Sequence, residues 1–371
     1  MSIARNDTSI LGRWWWEVDR WTLFAILALC GIGVVLTLSA SPSVAERIGA
    51  DSMHFVRKQV TLLLPALCIM IGVSLLELRN IRRLAIVLVG VSIVLLMGTL
   101  VFGTEIKGAT RWVSFGGVTI QPSEFAKPAF AVVAASFFSA SRLGEDIPGY
   151  TMSTALYFVI VTLLLLQPDV GQSIILSAIW FVQFFLAGLP MMLVIVMALA
   201  GVMSLVGAYF IFPHVQSRID RFLDPASGDS YQIDRAMDAF MNGGILGTGP
   251  GEGTVKNTLP DGHADFILAV AGEEFGLILC LIIVLLYAFV VLRGFTRVLN
   301  SNNLFVVLAA TGLLVQFGLQ ALVNMASTLS LIPTKGMTLP FISYGGSSLI
   351  ALAIGMGMLL AVTRSRPGGT V

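Results

Sequence analysis

The sequence predicts an all-α membrane protein of about ten transmembrane helices, and three observations carry that prediction. Of 371 residues, 56% are hydrophobic and 12% charged, with a mean hydropathy of +0.90, more apolar surface than a soluble fold of this length can hide. The apolar residues fall into runs long enough to cross a hydrocarbon core of about 30 Å. Only one long polar segment, residues 213–264, interrupts these runs, and the other connections are short.

Residues 1–20 read as a tail. Trp14, Trp15 and Trp16 beside Arg13 and Arg20 suit an interfacial anchor. The first apolar run, Trp21 to Leu38, is longer than the roughly 7 to 15 residues of a signal-peptide core, so it reads as an uncleaved span. Further spans follow at 59–76, 83–102, 124–140, 153–168, 171–188, 190–212, 265–292, 303–326 and 344–363. Several are near the minimum spanning length, which makes Gln167 to Gln172 and Gly188 to Pro190 tight turns. No polar linker divides them, so residues 21–363 form one domain and residues 364–371 a second tail.

An even number of spans puts both termini on one side. Counting Lys and Arg in alternate connections gives eleven on the side of the termini and ten on the other, with Lys127 inside a span. Positive-inside reasoning therefore only leans toward cytoplasmic termini.

Composition also excludes. A formal charge of +1 without a basic stripe leaves no basis for a nucleic-acid partner. Cys30, Cys68 and Cys280 lie in apolar stretches and form no C-x-x-C pair, and His54, His214 and His263 are far apart. Neither set makes a metal motif.

The polar segment 213–264, between the seventh and eighth spans, is far longer than an ordinary connection, and such loops tend to be functional. Ile233, Met237, Phe240 and Met241 predict one face of an amphipathic helix within it. Gly243, Gly244, Gly247, Gly249, Gly251 and Gly253 follow, read as a mobile stretch that a ligand can approach closely. It lacks the G-K-[ST] ending of a P-loop.

Asp265 stands where this loop re-enters the membrane. A partly desolvated carboxylate there can act as a base, although spacing alone favours a helix N-terminal Asp stabilised by the dipole. Glu124 and Lys127, at i and i+3, can pair on one face inside a span, as a structural ion pair or as part of a functional path. At 100° per residue Glu273 lies nearer the Asp265 face than Glu274 does. Lys107, Arg111 and Trp112 occupy one loop and Lys335 another. Together these cations suit an anionic lipid headgroup, particularly a diphosphate, or are simply solvated charges near membrane lipid.

The ordered motifs resemble one family. Lys107-Gly108-Ala109-Thr110-Arg111-Trp112, Gln121-Pro122-Ser123-Glu124 with Lys127, Gln167 to Gln172, the Gly-rich loop through His263-Ala264-Asp265-Phe266, Gly272-Glu273-Glu274-Phe275-Gly276, and Pro333 to Ser348 occur in the order found in the SEDS proteins of bacterial shape, elongation, division and sporulation. Pro333-Thr334-Lys335-Gly336 and Ser343-Tyr344-Gly345-Gly346 resemble the division branch more than the elongation branch. The family's Leu-Pro-Glu-x-His-Thr-Asp reads here as Leu-Pro-Asp-Gly-His-Ala-Asp.

The resemblance implies a peptidoglycan glycosyltransferase of the inner membrane at the division septum, with the long loop periplasmic and both termini cytoplasmic. It implies polymerisation of lipid II with Asp265 as base and undecaprenyl diphosphate as leaving group, with room for a divalent cation (Mg or Mn) and no organic cofactor. The substrate contacts assigned are Lys107, Arg111, Trp112, Gln121, Lys256, His263, Lys335 and Ser343, while Glu124, Lys127 and Glu273 shape the cavity. The implied partners are a class B penicillin-binding transpeptidase and other division proteins. Lipid II flipping and a non-catalytic scaffold are the competing readings.

Overall fold

The computed structural model describes residues 9–47, 49–106, 109–115, 118–224, 231–299 and 301–365. Lys107 therefore lies outside the described residues, as does the side chain of His214. A short helix, α1 (Ile10–Glu17), precedes the first span, and its N-cap Ser9 accepts a hydrogen bond from the Gly12 amide at 3.0 Å. Arg20 sits over the Trp15 and Trp16 rings at 5.8 and 5.1 Å, the arrangement expected of an interfacial anchor.

Among the described residues seven helices are long and apolar enough to cross a membrane: α2 (Arg20–Arg47), α3 (His54–Ser74), α4 (Leu78–Phe102), α6 (Gly149–Leu166), α8 (Met191–Ile211), α11 (Ile267–Leu299) and α12 (Leu304–Thr328). The shorter apolar helices α7 (Val170–Leu186) and α13 (Gly346–Val362) and the charged but deeply buried α5 (Pro122–Arg142) complete the ten predicted spans. Pro122 opens α5, where its missing N–H costs nothing. The small residues Ala126, Ala129, Ala131, Ala134 and Ala135 are buried along it, which lets α4, α6, α7, α12 and α13 approach closely. At the other extreme, α8 has no buried residue and stands apart in the apolar phase.

Both described ends of the chain meet at one end of the bundle. The Ser365 amide donates to the Glu17 carbonyl at 3.0 Å, Arg364 pairs with Glu17 at 3.0 Å, and Arg293 and Arg297 both reach Asp19 at the start of the first span.

Two stretches depart from the expected pattern. The connection between α4 and α5 is an antiparallel meander, β1 (Thr104–Ile106), β2 (Ala109–Phe115) and β3 (Val118–Ile120), in the order β1-β2-β3. Thr110, Trp112, Val113 and Phe115 have the β-branched and aromatic character that favours strands. The long loop holds two amphipathic helices, α9 (Pro213–Leu223) and α10 (Tyr231–Gly243), instead of the single one expected. The packed face of α10 is only in part the expected one: Phe240 packs over Gly272 and Ile233 is half-buried, but Ala236, Ala239 and Gly243 form the buried contact with α11, while Met237 and Met241 are exposed. Small residues win that face because they let the two backbones come close.

The glycine-rich stretch is docked, contrary to the mobile stretch expected from composition. Helix α11 is broken at Gly276, whose φ of 72° and ψ of −172° only glycine adopts readily. The loop supplies the partners that the break exposes. The Gly244 and Ile245 carbonyls accept from the Leu277 and Ile278 amides at 3.0 and 3.4 Å, and the Thr248 and Gly249 amides donate to the Glu273 and Glu274 carbonyls at 2.9 and 3.0 Å. A Cβ on Gly276 would collide with the Ile245 carbonyl, and one on Gly247 with that of Glu274. The glycines serve close backbone approach, with chain as the visitor instead of ligand.

Candidate functional site

Asp265 lies in the turn before α11, not within the helix, so the helical-wheel angle that related it to Glu273 does not apply. Asp261, at φ 52°, folds the segment back, and its carbonyl accepts from the Ala264 and Phe266 amides. Three successive carbonyls are then pinned by other elements. That of His263 accepts from the Tyr344 amide at 3.0 Å, that of Ala264 from the Ser343 hydroxyl at 2.5 Å, and that of Asp265 from Asn324 Nδ2 at 2.9 Å and Thr328 Oγ1 at 3.4 Å. Asn324 also donates to the Met337 carbonyl at 2.6 Å. The carboxylate is half-buried. Bare Gly336 faces it, and a Cβ there would lie 3.1 Å from Oδ2.

A cationic wall stands around the N-terminus of α7. The Asp169 side chain caps that helix by accepting from the Gln172 amide. Arg111, on β2, donates to the Pro168 carbonyl at 2.8 Å and lies 3.6 Å from the Asp169 carboxylate. The Lys335 side chain runs over Gly171, where any Cβ would exclude it. Arg218, on α9, donates to the Thr334 carbonyl at 3.2 Å. Burial, reinforced by Arg111 and Arg221, lowers the Arg218 guanidinium, and Asp169 and Asp265 oppose that shift. Lys335 is pushed down to about 8 by burial and by Arg218 and Arg111, against the attraction of Asp169. Three cations from distant segments thus share one field with Asp169, and Arg218 feels Asp265 as well. Such a set can neutralise an anion of two phosphate groups.

Below the wall runs a buried polar chain. Gln172 Nε2 donates to Glu124 at 2.5 Å. Lys127 donates to both Glu124 and Gln320 at 3.0 Å, and Gln320 Nε2 reaches the Thr338 carbonyl at 3.2 Å. The Glu124 and Lys127 pair therefore joins the first turn of α7 to the segment that carries Lys335.

The other assigned residues fall elsewhere. Lys256 is buried, with its ammonium held by Glu274, by Ser39 at 3.2 Å and by the Gly251 carbonyl at 3.3 Å. Its charge is used internally, which corrects its placement against substrate. Glu273 accepts from the Val255 and Lys256 amides at 2.7 and 2.8 Å and from Asn242 at 2.9 Å, so it clamps the loop instead of lining the Asp265 cavity. Ser343 spends its hydroxyl on Ala264 and on the Leu339 amide at 2.8 Å. The His263 ring is buried between Phe55 and Tyr344, with centroids 4.2 and 5.6 Å away, and burial lowers its pKa. Gln121 stands at the N-cap of α5 without a side-chain cap bond, and its backbone N–H donates to Ser347 Oγ at 3.1 Å. Trp112 is half-buried on β2, and strand alternation turns it to the face opposite Arg111.

Arg218, Asp169, Gln320 and Asn324 received no role from sequence reasoning. The Pro-Asp-Val-Gly spacing carries a helix-cap signal for Asp169. Arg218 counted only as one loop charge, because nothing in the sequence brings α9 beside Thr334. Among the described residues no three His, Cys, Asp or Glu side chains converge as metal ligands. A hard divalent ion held mainly by phosphate oxygens would still be compatible with this wall.

Fold and site define a multi-pass membrane protein that presents one fixed carboxylate beside a cationic wall at the mouth of its bundle. Residues 20–367 match the FTSW_RODA_SPOVE family, described as cell cycle protein, and the chain belongs to that family. It is 44% identical over 368 residues to the "Probable peptidoglycan glycosyltransferase FtsW" of Caulobacter vibrioides, covering 99% of this chain and 94% of that one. It is 36% identical to the protein of the same name from Geobacter metallireducens, covering 95% and 97%. Among solved structures it is similar to a chain reported under "Structural coordination of polymerization and crosslinking by a peptidoglycan synthase complex", with a TM-score of 0.74, 28% identity and coverage of 93% and 97%. Thermus thermophilus RodA, a rod shape determining protein, matches with a TM-score of 0.67, 27% identity and coverage of 93% and 96%.

Proposed function

We propose that this chain is a peptidoglycan glycosyltransferase that polymerises lipid II in septal cell-wall synthesis. The observation that carries the reading is the pinned Asp265 beside Arg111, Arg218 and Lys335, in a chain whose relatives bear the name peptidoglycan glycosyltransferase FtsW.

The acceptor's sugar 4-hydroxyl gives its proton to the Asp265 carboxylate as its oxygen attacks the anomeric carbon of the donor. The new bond forms between that oxygen and carbon. The bond from the carbon to the phosphate oxygen breaks on the opposite face, with inversion. The diphosphate leaves with the electron pair, and Arg111, Arg218 and Lys335 stabilise its charge. A second carboxylic acid is unnecessary, because a diphosphate leaves without protonation. A divalent cation, if the site takes one, would add charge neutralisation to the leaving diphosphate.

In this reading the long loop faces the periplasm, both termini are cytoplasmic, and a class B penicillin-binding protein cross-links the emerging strand. Support for that partner comes from the structural relative that belongs to a peptidoglycan synthase complex, one in which polymerization and crosslinking are coordinated. The test is incubation of the purified chain with fluorescent lipid II, with and without the cognate transpeptidase and Mg or Mn. Glycan polymer on a gel is expected; lipid II left unconsumed under every combination overturns the reading.

A further inference from the structure

The tip of the docked loop is apolar and uncovered. Met241, Ile245 and Leu246 are 80%, 68% and 77% exposed. The stretch from Asn242 to Gly251, Asn-Gly-Gly-Ile-Leu-Gly-Thr-Gly-Pro-Gly, contains no charge. A tip in water usually carries polar turn residues, and two consecutive large aliphatic side chains are out of place there.

Its depth explains the composition. At the far end of α11, Arg293 pairs with Asp19 beside the Trp15, Trp16 and Arg20 anchor, which marks one membrane interface. About 20 helical residues at about 1.5 Å each span a hydrocarbon core of about 30 Å. Leu277, the first residue past the Gly276 break, stands 16 residues from Arg293, about 24 Å along the helix, which leaves it about 6 Å short of the opposite boundary. The Gly244 and Ile245 carbonyls bond to the Leu277 and Ile278 amides, so the tip sits at that same depth.

Much of the turn's backbone is paired within the protein. The carbonyls of Gly243, Gly244, Ile245, Glu273 and Glu274 accept from amides of this chain, and the Gly244 and Gly247 amides donate to the Phe240 and Gly243 carbonyls. Each group so paired no longer needs water, which lowers the cost of holding irregular backbone at membrane depth. The tip is also continuous with Leu277, Ile278 and Leu281, which are half-exposed on the apolar flank of the α11 span.

We propose that residues 241–246 are a membrane-inserted tip that binds lipid acyl chains of the leaflet on the loop's own side. The grip passes to the functional segment through the chain. Glu273 clamps Val255 and Lys256, Arg47 at the end of α2 holds the Leu259 carbonyl at 2.9 Å, and six residues later the chain reaches Asp265. Lipid insertion thereby fixes the height of Asp265 above the bilayer. The lipid contact does not depend on which reaction the site performs.

The test uses the full chain in lipid nanodiscs, with Cys30, Cys68 and Cys280 replaced by Ala and a spin label at Leu246→Cys or, as the aqueous control, at Glu252→Cys. Collisions with oxygen are expected to exceed those with a water-soluble nickel chelate at position 246, and the order to reverse at position 252. A label at 246 as accessible to nickel as that at 252 overturns the proposal. So does one shielded from both reagents, which would mean a protein cover. Because the variants can misfold, the unsubstituted chain is also irradiated in bilayers containing a phospholipid with a diazirine in its tail. Cross-links on the peptide holding residues 241–246 support the proposal, and cross-links on α8 without any on that peptide overturn it.

Discussion

Asn324 ties Asp265 to the segment that carries Lys335, donating through one amide nitrogen to the Asp265 carbonyl at 2.9 Å and to the Met337 carbonyl at 2.6 Å. The side chain is fully buried, so its orientation is dictated by those two acceptors. Asn324→Asp keeps the shape and turns both donor contacts into oxygen facing oxygen. The Met337 carbonyl is left unpaired, at a cost of about 1–3 kcal/mol, and the Asp265 carbonyl keeps only the longer bond from Thr328. A fall in kcat of at least about tenfold is expected, from the misplacement of a base by a fraction of an ångström. Single-turnover polymerisation, on protein shown to be folded by gel filtration, checks it, with Asn324→Ala expected to be less harmful than Asp.

The cationic wall predicts a pH dependence. Burial, with Arg218 and Arg111, lowers Lys335 to about 8, so it is charged below that pH and neutral above it. Binding of an anionic headgroup favours the charged form. The KM for a diphosphate-linked substrate should therefore rise as pH increases through about 8, and Lys335→Arg, which stays charged, should flatten that rise. Initial rates over a pH series for both proteins measure it.

The buried pair at the centre of the bundle predicts a thermodynamic cycle. Lys127→Met leaves Glu124 buried without its ammonium, which costs about 3–5 kcal/mol. Glu124→Gln combined with Lys127→Met removes both charges and should recover most of that loss. Thermal unfolding in detergent reads the cycle; a double variant less stable than Lys127→Met contradicts it.

At the helix break, Gly276→Ala places a Cβ against the Ile245 carbonyl in a backbone region that only glycine tolerates. A sharp loss of folded protein is expected, read as the monodisperse fraction after purification. Gly90→Ala, where a Cβ meets nothing, is the control.

Much of this was legible in the sequence, because hydrophobic run length alone places ten spans and the i, i+3 spacing alone pairs Glu124 with Lys127. Asp265 stood out because it follows the one long polar connection. What the sequence could not convey was long-range. Six glycines in a short stretch look mobile until α11, a broken helix with unpaired backbone, comes to meet them. Lys256 looks available until Glu274 is found beneath it. Arg218 joins the site only because α9 folds back onto Thr334, and a three-stranded meander among spans has too few residues for its alternation to be recognised.

The central claim is that Asp265 takes the acceptor's proton, and the direct measurement is polymerisation of lipid II by Asp265→Asn in nanodiscs beside the unsubstituted chain, with lipid II binding measured on both. Asn keeps the size of the side chain and removes the basic oxygen. The account predicts that no glycan polymer forms while lipid II binding stays within about threefold. Polymer formed at a rate comparable to that of the unsubstituted chain would contradict it.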